Sequence, residues 1–437
     1  MGKYRNYLRS LSDSKLFKQS AVYLISEGIN KAIPFCLLPL ISYYLSTEEY
    51  GIITNYNVLT QIFAVLCYSV TTVIIPVMYV KQGNEEFRKL VSNIVFINSI
   101  IAFFLIIAVI LFSRSINNAT SIPLEFQLLA ITSILFTSFT QVNMVLWRCE
   151  EKPFKFGAYQ ISQTFLDVSS SVIFIIVFLL GWRGRIYSMA GISILFGLFS
   201  LLLLLKRGYL TLHLSKTAIK TVLTFALPLY PHGLSFWIKS GADKLLLTNM
   251  CGLAENGIYS VAMTFGAIIS IVVVSFNNAF TPYLFKKLKT IDSTPSSSNS
   301  EKIAIVKLYK KLLFLLALFV FFSYLASHLF IILIYQESYH GSVRFLPFIM
   351  IGQFFMGLYS MFVNFAHYTQ KTKILGMITF SLTLFQILLS YFLIRMMGAI
   401  GSAMSSMIIS IAIFVLVALY ASRIYSMPWR YIYKNNV

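Results

Sequence analysis

The chain has 437 residues, of which 58% are hydrophobic and only 11% are charged, and its formal net charge is +20. A soluble domain of this size carries roughly 25% charged residues, so a water-soluble globular protein is excluded. Many apolar runs are long enough, at about 1.5 Å per residue, to cross a hydrocarbon core of about 30 Å. The composition therefore predicts an all-α integral membrane protein.

Twelve hydrophobic segments follow one another along the chain, and we expect each to form a transmembrane helix. The first is too long for the core of a signal peptide and has no small-residue cleavage site after it, so we expect it to remain in the protein. The polar interval 286–311 has the composition of a serine-rich linker. The predicted spans lie at about 20–45, 51–80, 90–112, 124–147, 156–180, 188–205, 222–249, 257–285, 309–335, 345–369, 374–396 and 401–421.

The distribution of basic residues predicts the orientation of these spans. If the N-terminus is cytoplasmic, 27 of the 35 lysines and arginines lie in cytoplasmic segments and only five lie outside, while three lie within spans. Basic residues favour the cytoplasmic side, so we predict a multi-pass membrane protein with both termini in the cytoplasm. This topology accounts for the net charge without nucleic-acid binding, and the same charges suit anionic membrane lipids.

A weak internal repeat divides the chain into two halves. The segment 47–52 (TEEYGI) recurs as 253–258 (LAENGI), and proline and lysine residues further along match at the same offset. Parallel repeats of six helices are common in transporters. We predict two parallel six-helix lobes around a central cavity, with an N-terminal lobe at 1–205, a cytoplasmic linker at 206–221 and a C-terminal lobe at 222–437.

Charged residues within the spans are candidate binding residues, because a charge at the centre of a bilayer costs about 2.5–3.5 kcal/mol unless it faces a cavity or a partner. Glu27 and Lys31 are four residues apart on span 1, and Lys239 and Asp243 have the same spacing on span 7, with Lys244 beside them. Each pair could be an internally neutralised ion pair that fixes helix packing. Lys244 lies toward the outer end of its span and could instead extend to the headgroups.

Prolines favour a binding role for these two spans. Span 1 contains Pro34 and Pro39, and span 7 contains Pro228 and Pro231. Interrupted helices at corresponding positions of two repeats are the best sequence indication of a transporter's binding site. Lysines outnumber carboxylates there by three to two, so we predict an anion-binding region, with a diphosphate as the obvious ligand.

Span 5 carries a polar stripe that includes Gln163 and Asp167. The stripe could line a water-filled cavity in which Asp167 carries a proton, or Asp167 could be hydrogen-bonded to nearby serines and inert. His232, next to Pro231, could titrate near neutrality or have a structural role. We take Glu27, Gln163, Asp167, His232 and Asp243 as candidate cavity-lining or coupling residues.

No pattern in the sequence indicates catalysis or a cofactor. The four cysteines lack the spacing of a metal site, and no nucleophile elbow, zinc-protease or Walker motif occurs. We therefore expect no enzyme activity, no metal and no cofactor.

Several motifs resemble those of the Wzx-type flippases for O-antigen or capsule repeat units. These flippases belong to the multidrug/oligosaccharidyl-lipid/polysaccharide exporter superfamily. The residues that carry the resemblance are Trp237 with Asp243-Lys244, the segment 255–262 (ENGIYSVA), the segment 45–51 (LSTEEYG), and Trp147-Arg148 with the basic stretch after them.

The resemblance implies a bacterial inner-membrane protein that translocates an undecaprenyl-diphosphate-linked oligosaccharide from the cytoplasmic to the periplasmic face by alternating access. Lys31, Lys239 and Lys244 would then contact the diphosphate. A proton or Na⁺ could drive transport, and other glycan-assembly membrane proteins could be partners. The alternatives are a cation-coupled multidrug exporter, a lipid II flippase and a membrane-embedded glycan polymerase. Lysine-rich spans argue against the first, and the short outer loops argue against the last.

Overall fold

The computed structural model describes residues 15–69, 71–211, 214–293 and 298–429, and the regular structure in these ranges is entirely helical. The predicted all-α membrane fold is confirmed. The predicted cytoplasmic tails lie largely outside the described residues.

Fifteen α-helices, α1 to α15, follow one another in this part of the chain. The first seven are α1 Lys15–Ser42, α2 Thr47–Ala64, α3 Ile74–Lys81, α4 Asn84–Thr120, α5 Leu124–Cys149, α6 Pro153–Val172 and α7 Gly181–Lys206. The remaining eight are α8 Lys216–Ala226, α9 Tyr230–Trp237, α10 Asp243–Cys251, α11 Leu253–Ser293, α12 Ser298–Ile334, α13 Leu346–Tyr368, α14 Lys373–Met397 and α15 Ile400–Ile424.

Ten helical segments within the described ranges are long and apolar enough to cross a membrane. They correspond to ten of the twelve predicted spans. The other two predicted spans are α1, which carries four charged residues, and the segment 216–251, which is divided into several short helices. Residues 216–251 are called the broken helix below.

The chain divides into two compact units, Met1–Asn249 and Met250–Val437. In this division most of the broken helix clusters with the first unit, whereas the sequence repeat assigns it to the C-terminal lobe. The predicted lobe boundaries at 205 and 222 stay a prediction.

The core of the first unit is formed by α4, α5 and α7. Ile94, Val142 and Leu204 are almost completely buried there. At the crossing of α5 and α7, an added Cβ on Gly197 would overlap the backbone oxygen of Phe136, so only glycine fits without a shift. Small residues allow this close approach of two membrane helices, and dispersion contacts then hold the pair together.

The core of the second unit is formed by α11, α12, α13 and α15. Tyr309 packs its ring against Phe362, Phe365 and Trp429, and its hydroxyl donates a hydrogen bond to the backbone oxygen of Met361 at 3.1 Å. This aromatic cluster joins α12 to α13 and to the end of the described chain.

Large apolar side chains cover the outer surface of both units. Leu111 is 72% exposed, Leu333 is 75% exposed and Met396 is 79% exposed. Side chains of this kind would be unfavourable in water but match the hydrocarbon of a bilayer. The protein is therefore a multi-pass membrane protein.

The repeated sequence motif begins a helix in each unit and anchors it. In the first unit, Ser46 and Glu49 form a reciprocal capping box at the start of α2, and Glu49 also accepts a hydrogen bond from the Trp182 backbone nitrogen at 3.2 Å. In the second unit, Glu255 in the first turn of α11 forms an ion pair with Arg344. The matching glutamates thus have a structural role in the first turns of these two helices.

The described residues of the interval 286–311 are helical, so the prediction of a linker is wrong for them. Helix α11 continues to Ser293, and α12 begins at Ser298. Lys287 and Glu301 form an ion pair of 2.9 Å that joins the two helices. Residues 294–297 lie outside the described residues.

Candidate functional site

The broken helix carries four of the predicted site residues, His232, Lys239, Asp243 and Lys244. After α8, residues Leu227–Leu229 form one turn of 3-10 helix. After α9, residues Ile238–Ala242 form one turn of π-helix, called the π-turn below. Proline at 228 and 231 removes two backbone donors within one turn, which explains the first interruption. The predicted interruption of span 7 is confirmed.

Lys239 lies inside the π-turn, and Asp243 and Lys244 begin α10 directly after it. Both lysines are half-buried, and Asp243 is 5% exposed. A π-turn inside an α-helix is a frequent feature of functional sites, because it re-aims side chains relative to the regular helix. The binding role of the three residues stays a prediction.

Contacts with α2 and with a second turn of π-helix, Val65–Ser69, which follows α2, hold the broken helix in place. Trp237 donates its indole hydrogen to the Val58 backbone oxygen at 2.9 Å, and Tyr230 donates its hydroxyl hydrogen to the Leu66 backbone oxygen at 3.0 Å. Further along, Asn55 and Thr248 are joined by a side-chain hydrogen bond of 3.0 Å. The segment that carries the lysines is therefore fixed at both ends.

Helix α1 differs from the prediction at its prolines. It is one continuous helix from Lys15 to Ser42, with Pro34 and Pro39 inside it. The prediction that prolines interrupt span 1 is wrong, because each of its prolines removes only one donor from a different turn.

The expected pairing of Glu27 with Lys31 is replaced by a tertiary contact. Glu27 faces Arg148 at the end of α5, at 3.6 Å, and the Arg148 guanidinium also lies over the Phe156 ring at 4.6 Å. Lys31 is exposed, and none of the ion pairs among the described residues includes it. Its role at the diphosphate stays a prediction.

Helices α1 and α6 lie against each other near these residues. A Cβ on Gly157 would overlap the Ser26 hydroxyl oxygen, and Thr164 donates a hydrogen bond to the Asn30 side chain. The predicted site residues thus lie on α1, α6 and the broken helix. Helices α1 and α6 contact each other, and the broken helix contacts α2 and the turn that follows α2.

Asp167 on α6 has a cationic partner that the sequence did not indicate. The Arg185 guanidinium on α7 donates to both Asp167 carboxylate oxygens, at 2.9 and 3.0 Å, and also to the Ser171 hydroxyl. Ser188 donates to the Asp167 side chain at 3.1 Å. The Asp167 and Arg185 side chains are 19% and 12% exposed. This geometry favours the interpretation that Asp167 fixes helix packing.

The rest of the polar stripe on α6 faces neighbouring helices as well. Ser171 is fully buried, Gln163 is half-buried, and the Gln160 side-chain oxygen is buried with no hydrogen-bond partner among the described residues. A role for Gln163 as a cavity-lining residue stays a prediction. The backbone of His232 lies in α9, but its side chain lies outside the described part of the structure.

Solved structures with the same fold are transporters. The chain is similar to an inward-facing multidrug resistance MATE family transporter of the MOP superfamily, with a TM-score of 0.69, 14% identity, and coverage of 95% of this chain and 96% of that one. It is equally similar to the lipid II flippase MurJ in an inward closed conformation, with a TM-score of 0.68, 16% identity, and coverage of 92% and 87%. The fold is that of a multi-pass membrane transporter, which agrees with the prediction that the chain is not an enzyme.

The chain belongs to the family described as polysaccharide biosynthesis protein, whose model matches residues 16–288. This finding confirms the family resemblance inferred from the sequence. The chain is also similar to Lsg locus putative protein 1 of Haemophilus influenzae, with 23% identity over 374 residues, 83% of this chain and 87% of the relative. A second Haemophilus influenzae relative, an uncharacterized membrane protein, is 24% identical over 282 residues, 63% of this chain and 66% of its own length.

Proposed function

We propose that the chain is a flippase that moves an undecaprenyl-diphosphate-linked oligosaccharide repeat unit, of an O-antigen or a capsule, across the bacterial inner membrane. The direction is from the cytoplasmic to the periplasmic face, by alternating access, with both termini in the cytoplasm. The observation that carries the proposal is the pair of half-buried lysines, Lys239 and Lys244, in a broken helix of a polysaccharide-family transporter.

Charge supports a phosphorylated headgroup as the ligand. Lys239 and Lys244 are accompanied on the broken helix by one carboxylate, that of Asp243, and Lys31 adds a further cation on α1. Ammonium groups bind phosphate as point charges, and their attraction for it is stronger where water is partly excluded. All lipid-linked oligosaccharides of this class contain phosphate. The lysines would therefore bind the same phosphate group whatever sugars are attached to it.

Positions of the carboxylates bear on the coupling ion. Glu27 and Asp167 each face an arginine, Arg148 and Arg185 respectively. Since a guanidinium already engages each of these two carboxylates, we assign neither of them to a coupling ion.

A multidrug exporter remains the alternative function. The fold alone does not distinguish it from a flippase, since the TM-scores to a MATE transporter and to MurJ are nearly equal. The half-buried lysines favour the flippase over the exporter. They repel the cationic compounds that such exporters usually carry and attract a diphosphate.

A gene deletion and complementation experiment tests the proposal. The deletion strain should lose surface glycan and accumulate lipid-linked units on the cytoplasmic side, and the wild-type gene should restore both. Lys239→Ala and Lys244→Ala should fail to complement at normal protein levels. Their matched control is Lys220→Ala, which changes an exposed lysine of α8.

Two results would contradict the proposal. One is normal surface glycan in the deletion strain. The other is full complementation by the double variant Lys239→Ala/Lys244→Ala, since this would leave the proposed diphosphate site without a function. Drug sensitivity of the deletion strain with intact glycan would favour the multidrug alternative.

A further inference from the structure

A large groove runs between α6 and α7, on the first unit alone. Its volume is about 1130 Å³, and its walls are mostly apolar away from one charged end. Most of the apolar wall comes from Leu166, Leu195, Leu198, Phe199, Leu202 and Leu203. The floor is closed by Tyr159, whose hydroxyl donates to the Phe196 backbone oxygen at 2.5 Å.

One end of the groove is basic. Lys152, Lys155, Lys206 and Arg207 line it, where α6 begins and α7 ends. Glu150 forms ion pairs with Lys152, at 2.8 Å, and with Arg207. Lys155 and Lys206 are both exposed at the mouth, and no ion pair among the described residues includes either of them.

Side-chain charge would favour an anion at this mouth. The four basic residues exceed the neighbouring Glu150 and Glu151 by two charges. The helix dipoles roughly cancel there, because the positive end of α6, capped by Lys152, and the negative end of α7 meet at the mouth.

The groove has the length of one membrane leaflet. From Leu195 to Lys206 along α7, at about 1.5 Å per residue, the wall extends roughly 17 Å. This is close to half of the hydrocarbon core, which is about 30 Å thick. The charged mouth would then lie at headgroup depth and the apolar wall at the depth of the acyl chains.

We propose that this groove binds an anionic phospholipid from the leaflet on the side of the basic loops. Its phosphate lies between Lys155 and Lys206, and one acyl chain lies along the α7 wall from Leu203 to Leu195. The inference is independent of the transported substrate. An undecaprenyl chain is much longer than one leaflet, so the groove fits a diacyl lipid better than the proposed cargo.

Binding of lipids to the full-length protein tests this inference. The protein is placed in nanodiscs that contain phosphatidylcholine with a minor fraction of phosphatidylglycerol, and the retained lipids are counted by native mass spectrometry. Phosphatidylglycerol should be retained preferentially. Each basic contact near a membrane surface contributes about 1 kcal/mol, roughly fivefold, so K155Q/K206Q should lower retention about 30-fold.

Matched variants separate the groove from general surface charge. K216Q/K220Q removes two exposed lysines of α8, outside the groove, and should leave retention unchanged. Ala158→Trp fills the groove and should abolish retention, whereas Ala304→Trp places the same bulk at an exposed site on α12 and should not.

Three outcomes would overturn the inference. The first is equal retention of phosphatidylcholine and phosphatidylglycerol by the wild type. The second is full retention of phosphatidylglycerol by both variants, K155Q/K206Q and Ala158→Trp. The third is retention of undecaprenyl phosphate, added to the same nanodiscs, without retention of phosphatidylglycerol, which would make the groove a cargo site. None of these outcomes depends on transport, so failure here is distinguishable from failure of the proposed function.

Discussion

Replacement of Arg185 or Asp167 should reveal a strong interaction between α6 and α7. We consider Arg185→Met, Asp167→Asn and the double variant. The guanidinium donates to both carboxylate oxygens at 2.9 and 3.0 Å, and the two side chains are only 12% and 19% exposed. At an effective dielectric constant of about 20, two charges this close attract by roughly 5 kcal/mol, which the cost of desolvation partly offsets.

Each single variant leaves a charge or a polar group largely buried without its partner, so we expect a loss of about 3 kcal/mol in the free energy of unfolding. The free energy of unfolding should fall less in the double variant than in either single variant, because the introduced methionine side chain would face a neutral amide. The measurement is the unfolding temperature of the purified protein in detergent, for all four members of the cycle. Additive losses in the double variant would refute the reasoning, since they would mean that the two groups do not interact.

The same variants distinguish the two interpretations of Asp167. If the ion pair only fixes helix packing, the stable double variant should restore surface glycan in the deletion strain. If Asp167 carries a proton during transport, the double variant should be stable but inactive. The contact with Arg185 leads us to expect activity.

Two further predictions concern packing and pH. Gly197→Ala should destabilise the protein by about 2 kcal/mol, because the new Cβ would overlap the backbone of Phe136, whereas Gly191→Ala on the same helix meets no atom within 4 Å and should be neutral in thermal unfolding. Burial, and then the hydrogen bond to Asp292, raise the pKa of Tyr425 above its ordinary value. The unfolded chain therefore loses this proton first, so stability should fall as the pH rises above about 10, and Asp292→Asn should flatten that fall in a pH series of unfolding temperatures.

Local features of the fold could be predicted from the sequence because they depend on local chemistry. Pro228 and Pro231 lie three residues apart and remove donors from one turn, so the interruption of the helix is visible in the sequence. Pro34 and Pro39 are five residues apart, and α1 continues through both. Counting prolines without their spacing therefore misjudged span 1.

Partners across helices could not be predicted in the same way. The spacing of Glu27 and Lys31 indicates a local ion pair, but Arg148 from α5 faces Glu27 instead. The predicted spans 156–180 and 188–205 leave Arg185 in the loop between them, although it lies in the first turns of α7 and faces Asp167. Such contacts depend on the rotation and depth of each helix, which the hydrophobic pattern of one span does not determine.

The most direct test of the central proposal is transport by the purified protein in sealed vesicles that contain an undecaprenyl-diphosphate-linked oligosaccharide. A lectin or glycosidase that cannot cross the membrane reports which leaflet holds the sugar. We expect the wild type and Lys220→Ala to expose the lipid-linked sugar to the opposite side, and Lys239→Ala/Lys244→Ala to be slower by at least tenfold. If the wild type moves no more sugar than empty vesicles, or the double lysine variant moves it at the wild-type rate, the proposal is contradicted.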